Sequence, residues 1–268
     1  MGLLGSARAW RSALLACGLA WFAVATNADA AALGTPAIFE LALANSRGAN
    51  SQGQTESAEP FGGPVSILAG GGLRAKWLGV LQKIDDERVQ LALCDGDRAR
   101  CASDAALKLL TIVDGARTRD GRARLGEINR AINLAIRPMS DLAQYGEIDV
   151  WSSPLATLAS GAGDCEDYAI VKFVALRLAG VAAEDLRIVV MHDLLQGEDH
   201  AVAAARLDGQ WLMLDNRRMA MVDDIHVRNY RPLFVIDDST VMRYSDTPLL
   251  ASLSDQDLAT APVISSAQ

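Results

Sequence analysis

Three stretches in the first half of the chain repeat apolar residues at the spacing of one helix face. The third is the clearest, because Ile128, Ile132 and Ile136 recur at every fourth position and Pro138 then stops the pattern. A stripe of this kind packs against a core, so we predict three amphipathic helices and place Trp77 in the same core. The predicted helices cover about 76–91, 103–113 and 124–137.

Beyond Gly180 the pattern changes to short apolar runs rich in β-branched residues, which are typical of strands. Asp208-Gly209 separates two of these runs and favours a two-residue hairpin in which Leu207 faces Gln210. The same register puts Asp215 on the face of His200, as its diagonal neighbour. The predicted strands cover 186–191, 200–207, 210–214, 233–236 and 241–244.

Helices followed by strands indicate an α+β fold, and 268 residues, half of them hydrophobic, can bury one substantial core. We expect a single domain over 74–245. The segment 31–73 is predicted to be irregular, since 45–60 is rich in Ser, Gly and Gln, and 246–268 is predicted to be a flexible tail.

The first 30 residues are predicted to be a cleavable secretory signal peptide. Arg8 and Arg11 precede an apolar run over 13–25, and Ala28-Asp29-Ala30 offers a small-x-small cleavage site. The run is shorter than the roughly 20 residues that a membrane span needs. A lipoprotein site at Cys17 is the less favoured alternative. Cleavage changes the net charge from −8 to −9, which argues against a nucleic-acid partner and is compatible with a divalent cation.

Three cysteines remain after that cleavage. Cys94 and Cys101 bracket a turn-prone Asp-Gly-Asp and are predicted to form a small-loop disulfide outside the cytoplasm, with two free thiols as the alternative. Cys165 is then left over. An odd cysteine in an exported protein is either a reactive thiol or half of an intermolecular bridge.

Cys165 lies where a loop becomes a helix, in the sequence GAGDCEDYAI over 161–170. Gly161 and Gly163 are read as a flexible approach, Asp164 as the N-cap and Asp167 as its capping-box partner. The helix is predicted to end at 179, before Gly180. At such a helix N-terminus the unpaired N–H groups favour a thiolate.

A nucleophilic cysteine needs a base and a group that orients the base. The hairpin offers His200 with Asp215, while His192 is the rival base. Ordinary structural roles stay open as alternatives: Cys165 could be a core residue, Asp215 could begin a turn, and His200 could be a surface residue at a strand end. Carboxylates beside Cys165 oppose the thiolate, so a hard cation such as calcium is expected at this point, with zinc less suitable. Simple helix capping is the alternative role for Asp164, Glu166 and Asp167.

The order of these motifs resembles that of the bacterial transglutaminase-like cysteine proteinases, which include the LapG-type periplasmic adhesin proteases. The resemblance spans roughly 77–244, and GDCEDYA followed by HAV and LDN is its most specific part. The motifs that carry it are DLAQYG over 141–146, WSSP over 151–154, GAGDCEDYAIVK over 161–172, HAV over 200–202, LDN over 214–216 and YRPL over 230–233.

The resemblance implies a papain-like fold, with the cysteine helix packed on an antiparallel sheet that carries His and Asp. It implies Cys165 as the nucleophile, His200 as general base and then acid, and Asp215 as its orienting group. It also implies calcium ligands at Asp164 and Glu166, with Asp167 as a further participant.

The resemblance further implies a periplasmic, calcium-dependent cysteine endopeptidase. Such enzymes cut the N-terminal region of a large surface adhesin, and a LapD-like inner-membrane cyclic-di-GMP receptor sequesters them. Two alternatives stay open. The same site could transfer an acyl group as a transglutaminase or amidase, or the domain could be a non-enzymatic calcium-binding regulatory module.

Overall fold

The computed structural model describes residues 58–245. The predicted signal peptide, the polar segment up to residue 57 and the predicted tail over 246–268 lie outside the described residues. Within 58–245 no helix combines the length and the apolar character needed to cross a bilayer.

Six α-helices precede most of the sheet along the described chain. The three predicted helices are present as α1, α2 and α3, each shifted by a few residues. Ser103 starts α2 by accepting the backbone N–H of Ala106 with its hydroxyl, at 3.2 Å. The helices are α1 Gly72–Gly96, α2 Asp104–Arg117, α3 Gly121–Ala135, α4 Asp141–Tyr145, α5 Pro154–Ser160 and α6 Cys165–Leu178.

The strands form one antiparallel sheet in the order β1-β9-β8-β4-β5-β6-β7, and a short parallel pair of β2 with β3. All five predicted strands belong to the large sheet. The strands are β1 Val65–Ile67, β2 Arg137–Pro138, β3 Ala162–Gly163, β4 Leu186–Asp193, β5 Glu198–Leu207, β6 Gln210–Leu214, β7 Val222–Asp223, β8 Tyr230–Ile236 and β9 Val241–Tyr244.

The hairpin between β5 and β6 has the predicted register, with Leu207 opposite Gln210 and Ala203 opposite Leu214. Asp208 and Gly209 both adopt positive φ angles, of 52° and 81°, as a two-residue turn of this kind requires. The ladder ends at Leu214, so Asp215 follows the last paired residue of β6 instead of continuing the strand.

Regular structure begins earlier than the predicted boundary at residue 74. β1 pairs with β9 from the far end of the domain, a contact that local periodicity does not reveal. The segment before β1 packs on the outer face of the sheet, where Glu59 bonds to Arg187 at 2.6 Å and Trp211 donates to the carbonyl of Ala58 at 3.0 Å. The expectation of an irregular segment is therefore wrong for this part of 31–73.

Helix α6 packs between the other helices and the inner face of the sheet, and every residue from Glu166 to Leu176 is buried. This explains its run of apolar residues on all sides. Trp77 of α1 is fully buried and meets Phe173 of α6 edge to face, with ring centroids 5.9 Å apart. Burial of α6 fixes its N-terminus, and with it Cys165, against the ends of the central strands.

The predicted disulfide is present, with the Cα atoms of Cys94 and Cys101 4.6 Å apart. It closes the chain reversal after α1. Cys165 is the free cysteine of the described residues.

Candidate active site

The approach to α6 is ordered, which differs from the flexible approach predicted from its glycines. Gly161 ends α5 with a φ of 63°, and the next two residues pair with Arg137 and Pro138. A Cβ atom on Gly163 would lie 2.6 Å from a carboxylate oxygen of Asp167. Glycine is therefore required here by close packing against α6, not by mobility.

Cys165 occupies the first turn of α6 and lines an open cleft of about 780 Å³. Its thiol hydrogen-bonds to Oε2 of Glu166 at 3.1 Å. Burial raises the pKa of the Cys165 thiol well above its usual value, and the charge of Glu166 raises it further, while a backbone hydrogen bond from Ala201 acts in the opposite direction. With the carboxylates uncompensated, the thiol is therefore held in its protonated form.

His200 is 1% exposed and lines the same cleft as Cys165. Its Nε2 lies 2.9 Å from Oδ1 of Asp215, which also accepts the backbone N–H of Arg217 at 2.9 Å. The other ring nitrogen, Nδ1, is buried and has no hydrogen-bond partner among the described residues. Bonding to a carboxylate places the proton on Nε2, so Nδ1 is left as a proton acceptor.

Asp215 is buried and its pKa lies below the usual value. Burial by itself raises this pKa, but the hydrogen bonds from His200 and from the backbone N–H of Arg217, together with the charge of Lys172, outweigh burial and favour the carboxylate. The diagonal placement predicted from the hairpin thus brings the two side chains together, although Asp215 sits just past the end of the ladder.

The alternative base, His192, lies in a different environment from His200. Its Nδ1 bonds to Asp199 at 2.8 Å on a partly exposed face of β4. His192 is not among the residues that line the cleft with Cys165. The structure therefore brings His200, and not His192, to the edge of the cleft that holds the thiol.

Three carboxylates converge beside Cys165: those of Asp141, Asp164 and Glu166 each offer an oxygen within 4.8 Å of the others. Buried oxygens of Asp141 and Asp164 have no hydrogen-bond partner among the described residues. Burial, followed by the charge of Glu166, raises the pKa of Asp164 to about 8. Clustered carboxylates with orphaned oxygens fit a hard divalent cation, which prefers oxygen ligands.

Asp167 does not belong to this cluster. Its Oδ1 accepts the backbone N–H of Ser152 at 2.9 Å, across from α6. Burial raises the pKa of Asp167 to about 7. The structure thus assigns Asp167 to holding the neighbouring chain segment, while Asp164, the N-cap residue, makes no side-chain cap.

Asp141 was not predicted as a ligand from the sequence. It starts α4, and its Oδ2 accepts the backbone N–H of Val150 in a short hydrogen bond. The pairing of β2 with β3 carries this part of the chain to the start of α6. The only sequence signal was its position at the head of the DLAQYG motif.

One wall of the cleft is the extended segment around Trp151, which is held from two sides. Lysines of α1 donate to its carbonyls, Lys76 to Asp149 at 2.9 Å and Lys83 to Trp151 at 3.4 Å. The backbone N–H groups of Val150 and Ser152 donate to the carboxylates of Asp141 and Asp167, respectively. Asp141 therefore links the acidic cluster to the cleft wall by a hydrogen bond.

A thiol at a helix N-terminus and a carboxylate-bound imidazole in one cleft are the components of a cysteine-dependent acyl-transfer site on an α+β scaffold. The sequence agrees with this class: residues 90–240 match the model of the bacterial transglutaminase-like cysteine proteinase family, BTLCP. The chain belongs to this family, and this supports a cysteine peptidase that acts on protein substrates.

Similarity to individual proteins is more distant. No curated protein matches the chain. Legionella pneumophila LapG is 21% identical over 66% of this chain and 94% of its own, with a TM-score of 0.48. An EGTA-treated LapG structure gives 0.49 and a calcium-bound one 0.48, while a structure described as a TGase is 12% identical over 48% of this chain and 37% of its own, with 0.34. These scores lie below 0.5, so the family assignment rests on the sequence match.

Proposed function

We propose that the protein is a calcium-dependent cysteine endopeptidase with Cys165 as nucleophile, His200 as general base and Asp215 as the orienting acid. The observation that carries the proposal is the state of His200. Its Nε2 is engaged by Asp215, and its buried Nδ1 is free of partners in the described structure and belongs to the same cleft as Cys165.

In the proposed reaction, Nδ1 of His200 accepts the thiol proton, and the sulfur of Cys165 attacks the carbonyl carbon of a peptide bond. The imidazolium is stabilised by Asp215 and then donates the proton to the leaving amine. Water, deprotonated by the same nitrogen, hydrolyses the thioester and restores the thiol. The N–H groups at the start of α6 favour the negative charge on sulfur and on the carbonyl oxygen.

Glu166 opposes the first step, because it accepts the thiol hydrogen bond and its charge favours the protonated thiol. A calcium ion held by Asp141, Asp164 and Glu166 would supply the positive charge that offsets these carboxylates. Cys165 can then give its proton to His200 instead of sharing it with Glu166.

We extend the proposal to the setting and the substrate. An exported, periplasmic enzyme is supported by the predicted signal peptide over 1–30 and by the Cys94–Cys101 disulfide, which suits an oxidising compartment. Cleavage of the N-terminal region of a large surface adhesin to control attachment and biofilm formation, and sequestration by a LapD-like receptor, are supported by the motif resemblance alone.

The direct test is incubation of the purified protein with the N-terminal region of a large surface adhesin from the same organism. We expect two fragments from the wild type and none from Cys165→Ala. EGTA should stop cleavage, and calcium, but not magnesium, should restore it. Equal cleavage by Cys165→Ala would refute the nucleophile, and indifference to EGTA would refute the metal requirement.

The acyl-transfer alternative is tested in the same assay. A fluorescent primary amine is added together with the adhesin fragment. Hydrolysis yields two unlabelled fragments, whereas a transglutaminase links the amine to the substrate. Labelled, uncleaved substrate would reverse the choice between the two reactions.

A further inference from the structure

Helix α6 contains a lysine that the proposed reaction does not use. Lys172 follows Cys165 by seven residues, two helical turns, so both side chains lie on the same side of the helix. Lys172 is 0% exposed, and it is among the largest fully buried side chains of the described chain. It therefore cannot touch a substrate in the cleft.

The ammonium group of Lys172 reaches the end of β6. Its Nζ donates to the carbonyl oxygen of Leu214 at 2.9 Å and lies 5.8 Å from the ring centroid of Tyr168. Leu214 is the last residue of β6 and immediately precedes Asp215. Lys172 thus connects the helix that carries the thiol to the strand end that carries the acid.

Burial of an ammonium group is costly, and one neutral carbonyl offsets only part of that cost. Burial lowers the pKa of Lys172 to about 7, and the charge of Asp215 acts against this shift. An aliphatic side chain would fill the same space without this penalty. Packing therefore does not explain a lysine at this position.

The peptide groups on both sides of Asp215 are anchored by buried or partly buried donors. Lys172 holds the Leu214 carbonyl, and Nδ2 of Asn133 donates to the carbonyl of Asp215 itself at 3.0 Å. Side chains of α6 and α3 therefore hold the backbone on both sides of the carboxylate that meets Nε2 of His200. Beyond Leu214 no ladder partner performs this task, because β5 and β6 pair only up to Ala203 and Leu214.

We propose that Lys172 is a positioning residue, which fixes the Leu214–Asp215 peptide so that Asp215 orients His200 toward Cys165. This inference rests on the proposed triad. It predicts that loss of the ammonium group slows the chemistry of Cys165 with little change in stability, because relief from burying the charge offsets the loss of the hydrogen bond to the Leu214 carbonyl.

The test measures the rate at which iodoacetamide alkylates Cys165 in the full-length protein, by peptide mass spectrometry, together with the melting temperature. No substrate is needed. For Lys172→Met we expect alkylation to slow by roughly ten- to hundredfold, the range found for residues that orient site groups through a second layer of contacts. The melting temperature should stay the same or rise.

Lys108→Met is the matched control. Lys108 is an exposed lysine of α2 whose Nζ also donates to a backbone carbonyl, that of Leu158 at 3.4 Å. Its replacement removes the same kind of contact far from the proposed triad. We expect neither the alkylation rate nor the melting temperature to change beyond experimental error.

A double-mutant cycle with Asp215→Asn separates positioning from general weakening of the fold. If Lys172 acts through Asp215, adding Lys172→Met to Asp215→Asn should slow alkylation no further. An equal slowdown in both backgrounds, accompanied by a lower melting temperature, would show a merely structural role and overturn the inference. If Lys172→Met fails to fold, Lys172→Gln takes its place in the same cycle.

The two levels of the proposal fail in different ways. If His200→Ala and Asp215→Asn leave the alkylation of Cys165 unchanged, the triad itself is wrong. If both slow alkylation while Lys172→Met behaves like the wild type, the triad stands and the role of Lys172 is refuted.

Discussion

Two groups of acidic side chains belong to the proposed site, and they differ in how their negative charge is balanced. The first group is Asp215 alone, and the second is the cluster of Asp141, Asp164 and Glu166. Asp215 has two hydrogen-bond donors, and its pKa is lowered, so it is ionised without outside help. In the group of Asp141, Asp164 and Glu166, buried oxygens have no hydrogen-bond partner among residues 58–245, and the pKa of Asp164 is raised to about 8. The charge of Asp215 is therefore matched by donors of the chain, whereas the three clustered carboxylates fit the proposed cation.

The comparison also shows that distance in sequence is a poor guide to function around the thiol. Glu166 is adjacent to Cys165 in sequence and favours the protonated thiol. Asp215 is 50 residues away in sequence and orients the proposed base, His200. The same chemical group, a carboxylate, therefore has opposite consequences, depending on whether its charge is matched by hydrogen-bond donors.

The largest effect is expected from Asp215→Asn. The amide cannot stabilise an imidazolium, and it can reverse the tautomer of His200 so that Nδ1 carries the proton. We expect kcat for adhesin cleavage to fall by about 10³–10⁴-fold, as for the equivalent change in other triads. The folded structure, followed by circular dichroism, should be retained. A decrease of less than about tenfold would mean that the first group is not part of the reaction.

Asp141→Asn tests the second group at the ligand that the sequence did not predict. We expect calcium affinity, measured by isothermal titration calorimetry, to fall by roughly tenfold or more, because even indirect supports of metal sites are worth 10–100-fold. Asp85→Asn, which alters an exposed carboxylate of α1, is the control and should bind calcium as the wild type does. Unchanged affinity in Asp141→Asn would remove this residue from the site.

The next largest effect is expected in the pH dependence of stability. In the folded state without calcium, the pKa of Asp164 is raised to about 8 and that of Asp167 to about 7, against about 3.9 in an unfolded chain. Raised carboxyl pKa values stabilise the fold at low pH, and this stability is lost as the pH rises through them. In EGTA we therefore expect the melting temperature to fall as the pH rises from about 4 to about 8.

Calcium should largely suppress this decrease, because bound cations favour the ionised carboxylates. Asp164→Asn should also flatten the pH profile in EGTA, since it removes the group with the highest of these pKa values. A melting temperature that rises over this pH range in EGTA would contradict the raised pKa values of Asp164 and Asp167.

The smallest effect is expected from Asp167→Asn. The amide oxygen can still accept the N–H of Ser152, and Asp167 is not one of the three clustered carboxylates. We expect calcium affinity within about threefold of the wild type and a stability change of about 1 kcal/mol, measured by calorimetry and by urea unfolding. A loss of affinity equal to that of Asp141→Asn would return Asp167 to the ligand set that the family resemblance implies.

The elements that sequence predicted well are those governed by local geometry. A two-residue turn at Asp208-Gly209 fixes the pairing of its strands, and the pairing in turn places Asp215 beside His200. The stripes of apolar residues likewise defined α1 to α3, because a helix with one buried face must repeat at its own period.

The features that sequence missed depend on contacts between distant segments. Asp141 reaches the cysteine helix through the parallel pair of β2 with β3, two strands of two residues each. The resemblance implies Asp167 as a further participant in calcium binding, but successive residues of a helix point about 100° apart, and Asp167 is not part of the three-carboxylate cluster. Lys172 ends the GAGDCEDYAIVK motif, but only the structure reveals its burial and its contact with the Leu214 carbonyl.

The most direct measurement is the rate of Cys165 alkylation by iodoacetamide as a function of calcium concentration, in the wild type and in Asp141→Asn. If the ion offsets the carboxylates that hold the thiol proton, calcium should raise the rate in the wild type, magnesium should not, and Asp141→Asn should need more calcium for the same increase. An alkylation rate in the wild type that is the same with saturating calcium and with EGTA would contradict the proposed link between the two groups of carboxylates.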